Sequence, residues 1–298
     1  MLTFINVRGV YMKENVLREI EKNRSEFSKG QKRIADYINN HYDKAAYMTA
    51  AKLGEAVNVS ESTVVRFATE IGYDGYPGLQ KSLLELIPKK LTAQQRMEVA
   101  ATQMGEDDVL QKVLQADINN IRTTLSWASV ETFSSVVDTI TSARSIYILG
   151  TRSTMALAQF MNFYFNLMLP DVKLIQSSDD AGMYEQMMRI DHHDVFISIS
   201  FPRYASVMRN AAMYASGRGA KVIAITDSYS APISEYATYT LVARSNMAAF
   251  ADSLVAPLSI INALIVAIGI KKKPELDETL SGLEDIWYTY GIYEEEPF

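Results

Sequence analysis

The sequence predicts two folds in series: an all-α helix-turn-helix domain, followed by a doubly wound parallel α/β domain. Three observations predict it. The chain is 298 residues long, and at roughly 100–200 residues per domain that length holds two cores. Its rhythm changes, from short capped amphipathic helices to short apolar runs alternating with helical stretches. Its charge is uneven. Between Met12 and Leu91 there are 13 Lys and Arg against 11 Asp and Glu, and from Thr92 onward 15 against 24, within a net charge of -6. A mildly basic small part joined to an acidic large part fits two separate functions.

Composition excludes several classes. With 48% hydrophobic residues, 14 Gly and 8 Pro, the chain is neither disordered nor collagen-like. The absence of cysteine removes disulfide frameworks, thiolate zinc sites and cysteine nucleophiles together. Met1 to Tyr11 lacks a charged stretch leading into a long apolar run, so no signal peptide is expected. The most apolar segment, Leu254 to Ile270, contains Pro257, Ser259 and Asn262. It falls short of the about 18–20 apolar residues of a membrane span and predicts a buried helix. A cytoplasmic protein without a membrane partner is expected.

The elements of the first part follow from caps and stripes. Ser28-Lys29-Gly30-Gln31 has the spacing of a capping box, with Ile34 and Ile38 on one face of the helix it opens. Thr49 caps a short helix that buries Leu53 and Val57, and Asn58-Val59 makes a tight connection. Ser60 caps the next helix, where Val64, Phe67, Ala68 and Ile71 fall at i, i+3, i+4 and i+7. Gly72 stops it. A further helix is expected from about Pro77 to Ile87, broken by Pro88-Lys89-Lys90. The boundaries are an all-α domain over 12–88, a linker over 89–108 and an α/β domain over 109–298.

Ala50 to Ile71 has the logic of a helix-turn-helix, whose second helix enters the major groove of double-stranded DNA. Burying the apolar stripe turns Ser62, Arg66 and Thr69 outward, with Glu61 and Thr63 near the helix start. Small polar side chains there allow close approach, Arg66 reaches guanine or phosphate, and amides near Ser60 suit a phosphate. With Lys52 on the preceding helix, these are the candidate DNA contacts. An ordinary polar helix face is the plainer reading of the stripe by itself.

Ile34-Ala35-Asp36-Tyr37-Ile38, Met48 to Leu53, Val59 to Phe67 and Ile71-Gly72-Tyr73-Asp74-Gly75-Tyr76 closely resemble the N-terminal domain of the RpiR family of bacterial transcriptional regulators. The resemblance implies a C-terminal sugar isomerase (SIS) domain that senses sugar phosphates, in the place where the α/β rhythm lies.

That second part opens with helices over about Val109 to Ala128 and Val130 to Ala143. Apolar runs follow at Ser145–Leu149, Val172–Ile175, Val195–Ile199, Lys221–Thr226 and Tyr239–Val242, separated by helices at Met155–Met168, Gly182–Arg189 and Tyr204–Ser216. Continuous apolar strands alternating with helices predict parallel strands buried on both faces. Ligands bind beyond the carboxyl ends of such strands. The first-strand loop, Thr151, Arg152, Ser153 and Thr154, lacks the further glycines of a dinucleotide fingerprint, and no cofactor is expected. The second-strand exit offers Ser177, Ser178 and Asp179, either for sugar hydroxyls or simply as a helix cap.

SIS domains carry Ser-x-Ser-Gly-x-Thr after the third strand. Here Ser200 is retained, but Phe201-Pro202-Arg203-Tyr204-Ala205 replaces the continuation, resembling an RpiR branch with a Phe-Pro-Arg-Tyr loop. Arg152 and Arg203 thus occupy adjacent strand-end loops, where guanidinium forks suit a phosphate or carboxylate. Tyr204 and Ser206 complete the candidate effector residues. The plainer alternative pairs each arginine with Asp179, Asp180 or Asp227. His192-His193, before the third strand and placed on it in this reading, are expected to point to opposite faces and to hold no metal.

A non-enzymatic regulator is expected, binding operator DNA under control of a sugar phosphate or acidic sugar. Operator symmetry implies a homodimer or dimer of dimers, with Leu254–Ile270 a candidate for the dimer core or, equally, an intramolecular core helix. The alternative is a sugar-phosphate isomerase with an accessory DNA-binding domain. Glu185 would be its nearest carboxylate base, but no histidine lies on a ligand-side loop.

Overall fold

A computed structural model describes residues 16–90, 97, 108–177, 179–246 and 251–293. The chain divides into two compact units between Arg96 and Met97. Most of the segment read as a linker, 91–96 and 98–107, lies outside the described residues.

The first unit is helical: α1 (Val16–Lys22), α2 (Lys29–Ala45), α3 (Ala50–Ala56), α4 (Glu61–Glu70) and α5 (Gly75–Lys90). The capping box at α2 forms in both directions, with the Ser28 N–H donating to Gln31 Oε1 at 2.8 Å and the Gln31 N–H to Ser28 Oγ at 3.4 Å. Ile20, Ile34, Ile38, Leu53, Phe67, Leu79 and Leu83 are fully buried together, and the rings of Phe27 and Phe67 lie 5.1 Å apart. Tyr76 ties α5 to the α2–α3 connection by donating to Met48 O at 2.7 Å. Burial pushes its phenol pKa up to about 12.

One boundary needs correction. Pro88 does not break α5, which runs to Lys90. A proline lacks only its own N–H, and in the last turn that removes one bond from a helix already propagated. Pro77 lies in the first turn, where a missing N–H leaves nothing unpaired.

The second unit begins with α6 (Val109–Trp127) and α7 (Val130–Ser142). Then follow β1 (Ile146–Gly150), α8 (Thr154–Asn166), β2 (Val172–Leu174), α9 (Asp180–Met187), β3 (Val195–Ile199), α10 (Ser206–Gly217), β4 (Lys221–Thr226) and β5 (Tyr239–Val242). The unit closes with α11 (Val255–Lys271) and α12 (Lys273–Tyr290), of which α12 was not anticipated. The strands form one five-stranded sheet in the order β2-β1-β3-β4-β5, and every pair is parallel. One sheet face packs Ile146, Ile148, Val195, Ile197, Ile199, Ile223 and Ile225 against α7, α8 and α11. The other packs Tyr147, Leu149, Phe196, Val222 and Ala224 against α9 and α10. Burial of both faces is why β1 reads as an unbroken apolar run and β3 as one interrupted by Ser198.

At the amino ends of the strands, Arg144 clasps the buried Asp194 with Nε at 3.0 Å and Nη2 at 2.7 Å, and reaches Asp191 at 2.9 Å. The two carboxylates raise the guanidinium's pKa, and the pairing ties the approach to β1 to the approach to β3. Among the described residues no single helix is long and apolar enough to cross a membrane. Helix α11 instead buries Ile261, Leu264 and Ile268 in the core of its own unit.

Candidate functional site

The start of α4 is a built tip. Ser60 Oγ accepts the Thr63 N–H at 3.3 Å and lies 2.9 Å from Ser62 Oγ and 2.8 Å from Thr63 Oγ1. Beneath it, a Cβ on Gly54 would meet Val59 O at 2.8 Å, so only glycine lets α3 come this close to the turn. Asn58 makes that turn with φ 53, in the left-handed region. Glu61, Ser62, Arg66 and Thr69 are exposed with Lys52, while Thr63 is half-buried. The hydroxyl of Thr69 donates to Val65 O at 2.9 Å, so it meets a partner only as an acceptor. Arg66 has no ion pair or hydrogen bond with another described residue and stays free to reach out. The far end of α4 is fixed by Gln31, whose side-chain amide donates to Glu70. Sequence reading missed Gly54, and placed Gln31 in the capping box without its bond to Glu70.

The second cluster lies at the carboxyl ends of the strands. β1 neighbours β2 on one side and β3 on the other, so the chain order reverses there, and a doubly wound sheet opens its ligand crevice at that reversal. The loops leaving β1 and β3 carry Arg152 and Arg203. A Cβ on Gly150 would lie 2.5 Å from Thr154 O, so the β1 exit requires glycine. The buried Thr154 accepts the Thr151 N–H and donates to Thr151 O, both at 2.9 Å, which closes the loop on itself. Arg152 is held at φ 55, a left-handed conformation costly for a long side chain. It is exposed, as are Ser153 and Arg203.

Two of the acids proposed as local partners, Asp179 and Asp227, are engaged elsewhere. Asp179 Oδ1 accepts the Gly182 N–H at 2.7 Å, and Ser177 Oγ donates to Asp179 O at 2.7 Å, so this pair caps α9. Ser178 lies outside the described residues. Tyr204 donates to Asp227 Oδ1 at 2.6 Å. Among the described residues, neither arginine pairs with Asp179, Asp180 or Asp227. Ser200 is buried at the end of β3, and Ser206 is the exposed first residue of α10. Two residues before Ser200, the fully buried Ser198 Oγ has no hydrogen-bond partner, alone among the described buried side-chain N and O atoms. A serine inside the run Val195–Ile199 was the signal that could have flagged it.

His192 and His193 need a correction of geometry. They lie in a turn before β3 and not on the strand, so their rings come within 3.9 Å instead of facing opposite ways. With Asp191 their donor atoms lie within 4.8 Å of one another. The Asp191 carboxylate already accepts the His193 N–H and pairs with Arg144. Glu185 is exposed on α9.

Comparison with known proteins follows the same division. Residues 14–90 match the model of the helix-turn-helix domain of the rpiR family, and residues 139–267 match the SIS domain. A Haemophilus influenzae HTH-type transcriptional regulator is 28% identical over 232 residues, covering 76% of this chain and 79% of the relative. The HTH-type transcriptional regulator HexR of Pseudomonas aeruginosa is 26% identical over 217 residues, 72% of this chain and 73% of HexR. Among solved structures, the Vibrio vulnificus NanR protein complexed with ManNAc-6P is similar with a TM-score of 0.57 at 20% identity, over 93% of this chain and 99% of NanR. The sugar isomerase domain of an RpiR transcription factor from Sphaerobacter thermophilus gives 0.56 at 22% identity, over 58% of this chain and 96% of that one.

Proposed function

The chain belongs to the RpiR family of transcriptional regulators, with an SIS domain, and from that premise we propose that a phosphorylated or otherwise anionic sugar controls its grip on operator DNA. The observation that carries the reading is the pair Arg152 and Arg203, exposed on the two loops that flank the chain reversal and tied to no described acid. Two guanidinium forks on adjacent loops match the oxygens of a phosphate or carboxylate. NanR, with the same overall fold, binds a sugar phosphate, which supports the class of ligand. The DNA is read by α4 through Arg66 and the tip at Ser60 and Ser62, with Lys52 on a phosphate. The relatives are named as regulators, and the chain acts in the cytoplasm by binding, without catalysis.

Two copies act together. Helix α6 turns Asn120 and Thr124 inward, where they bond Asn246 and the Arg244 N–H, while Leu114, Ile118, Ile121 and Leu125 face outward with Leu125 74% exposed. Their spacing of four, three and four residues is a coiled-coil seam with no cover among the described residues. A second copy of the same helix supplies that cover, which makes α6, in place of α11, the centre of the pairing.

The test is a thermal-shift screen of the full chain against phosphorylated and acidic sugars, followed by operator binding with and without each hit. A ligand bound by the native state raises the melting temperature. A hit that shifts Tm but leaves operator affinity unchanged rejects effector control.

A further inference from the structure

We propose that Tyr204 is a positioning residue for the effector site: by occupying Asp227, its hydroxyl keeps the neighbouring Arg203 free for the anionic ligand. The inference rests on the reading of Arg203 given above. Asp227 ends up beside this loop because β4 pairs with β3 and leaves the sheet next to it. Its Oδ1 accepts from Tyr204 at 2.6 Å, and the Thr226 hydroxyl lies 3.4 Å from the same oxygen. The Tyr204 ring is anchored against the apolar layer that includes Met208 and Ala224, so the hydroxyl is aimed and does not wander. Burial first, then the adjacent carboxylate, raises the phenol's pKa, so it remains a donor at neutral pH.

Arg203 precedes Tyr204 on the same short loop, and a guanidinium reaches about as far as a phenol hydroxyl. Asp227 is therefore the acid Arg203 would capture if the hydroxyl were missing. An internal ion pair would compete with the ligand, and only the fraction of molecules with Arg203 released would bind. Tyrosine suits the task because it satisfies the carboxylate without adding a charge that the ligand would feel.

The experiment is calorimetric titration of the full chain with inorganic phosphate and with ManNAc-6P, on the native protein, Tyr204→Phe, Asp227→Asn, the double variant and Arg203→Ala. Melting curves show that each variant is folded. Tyr204→Phe is expected to weaken binding roughly tenfold by trapping Arg203, Asp227→Asn to leave it equal or tighter, and the double variant to return to the Asp227→Asn value. That rescue is the signature, since a phenol hydroxyl needed only to shape the loop would not be replaced by removing a carboxylate. Unchanged binding in Tyr204→Phe, or a double variant as weak as Tyr204→Phe, overturns the proposal. Weaker binding in Asp227→Asn does so too, because it would place Asp227 on the ligand. Native binding that Arg203→Ala leaves untouched, or no binding of either probe, instead removes the underlying reading of the site.

Discussion

The tip of α4 and the loop that leads into α8 solve a similar local problem with different means. Each presents the start of a helix where the proposed function places an anion, each needs a glycine underneath, and each spends a hydroxyl residue on its own backbone. At α4 the hydroxyls of the exposed Ser60 and Ser62 and the half-buried Thr63 form the tip itself, the last two each within hydrogen-bond distance of Ser60 Oγ. At α8 the hydroxyl of Thr154 is buried and purely structural, and the reach outward belongs to Arg152 beside it and Arg203 across the crevice. Long DNA offers many phosphates, so a tip of short groups with one free arginine suffices. A small ligand offers one or two charged groups, so most of the recognition must come from a few long forks. Residues bonded inside the protein shape each site, while Arg66, Arg152 and Arg203, without partners among the described residues, are the ones proposed to do the reading.

The largest expected effect tests the crowded β1 exit. Gly150→Ala places a methyl 2.5 Å from Thr154 O, a backbone clash that should cost about 3 kcal/mol of stability in the second unit, measured by urea unfolding. A near-neutral result would mean that the loop leading into α8 is pliable, and the contrast with α4 would weaken. Next, Arg203→Ala should remove about 2 kcal/mol of effector affinity, the scale of a charged hydrogen bond, while operator binding without effector is preserved. Arg152→Ala should act in the same direction and non-additively if both forks hold one group.

On the DNA side, Arg66→Ala should weaken operator binding by about 1–3 kcal/mol and relax preference at one base pair. Equal loss on all sequences in a binding assay would make it a phosphate contact. Ser60→Ala should cost about 1 kcal/mol through the lost cap, visible as a lower Tm. The smallest effect is a pH dependence. The folded pKa of Tyr76 is raised to about 12, above the ordinary tyrosine value near 10. Its contribution to stability is therefore complete below about pH 10 and lost as pH rises toward 12. Tyr76→Phe should flatten that stretch of the stability curve.

Local pattern carried much of this structure. The ends of β3, β4 and β5, the cap at Ser60 and the outward turn of Arg66 all follow from periodicity and capping, which act over a few residues. The same reasoning could not see that Tyr204 bonds Asp227, because that contact depends on β4 lying beside β3. It left Asp179 open between ligand and cap, since both uses ask for the same side chain, and the hydrogen bond to Gly182 shows the cap. It put His192 and His193 on a strand where a turn intervenes, so the inference from alternation failed at its premise. Helix α12 escaped because its apolar residues are half exposed on its own chain and give no clean stripe.

Gly54 carries a genetic consequence. A larger residue there would press on Val59 O and displace the reading tip, yet the α/β unit and its α6 seam would be untouched. With two copies pairing as proposed, a Gly54→Val allele should be dominant over the native gene in the same cell. Its product would still assemble, and mixed pairs would reach the operator with one competent hand instead of two.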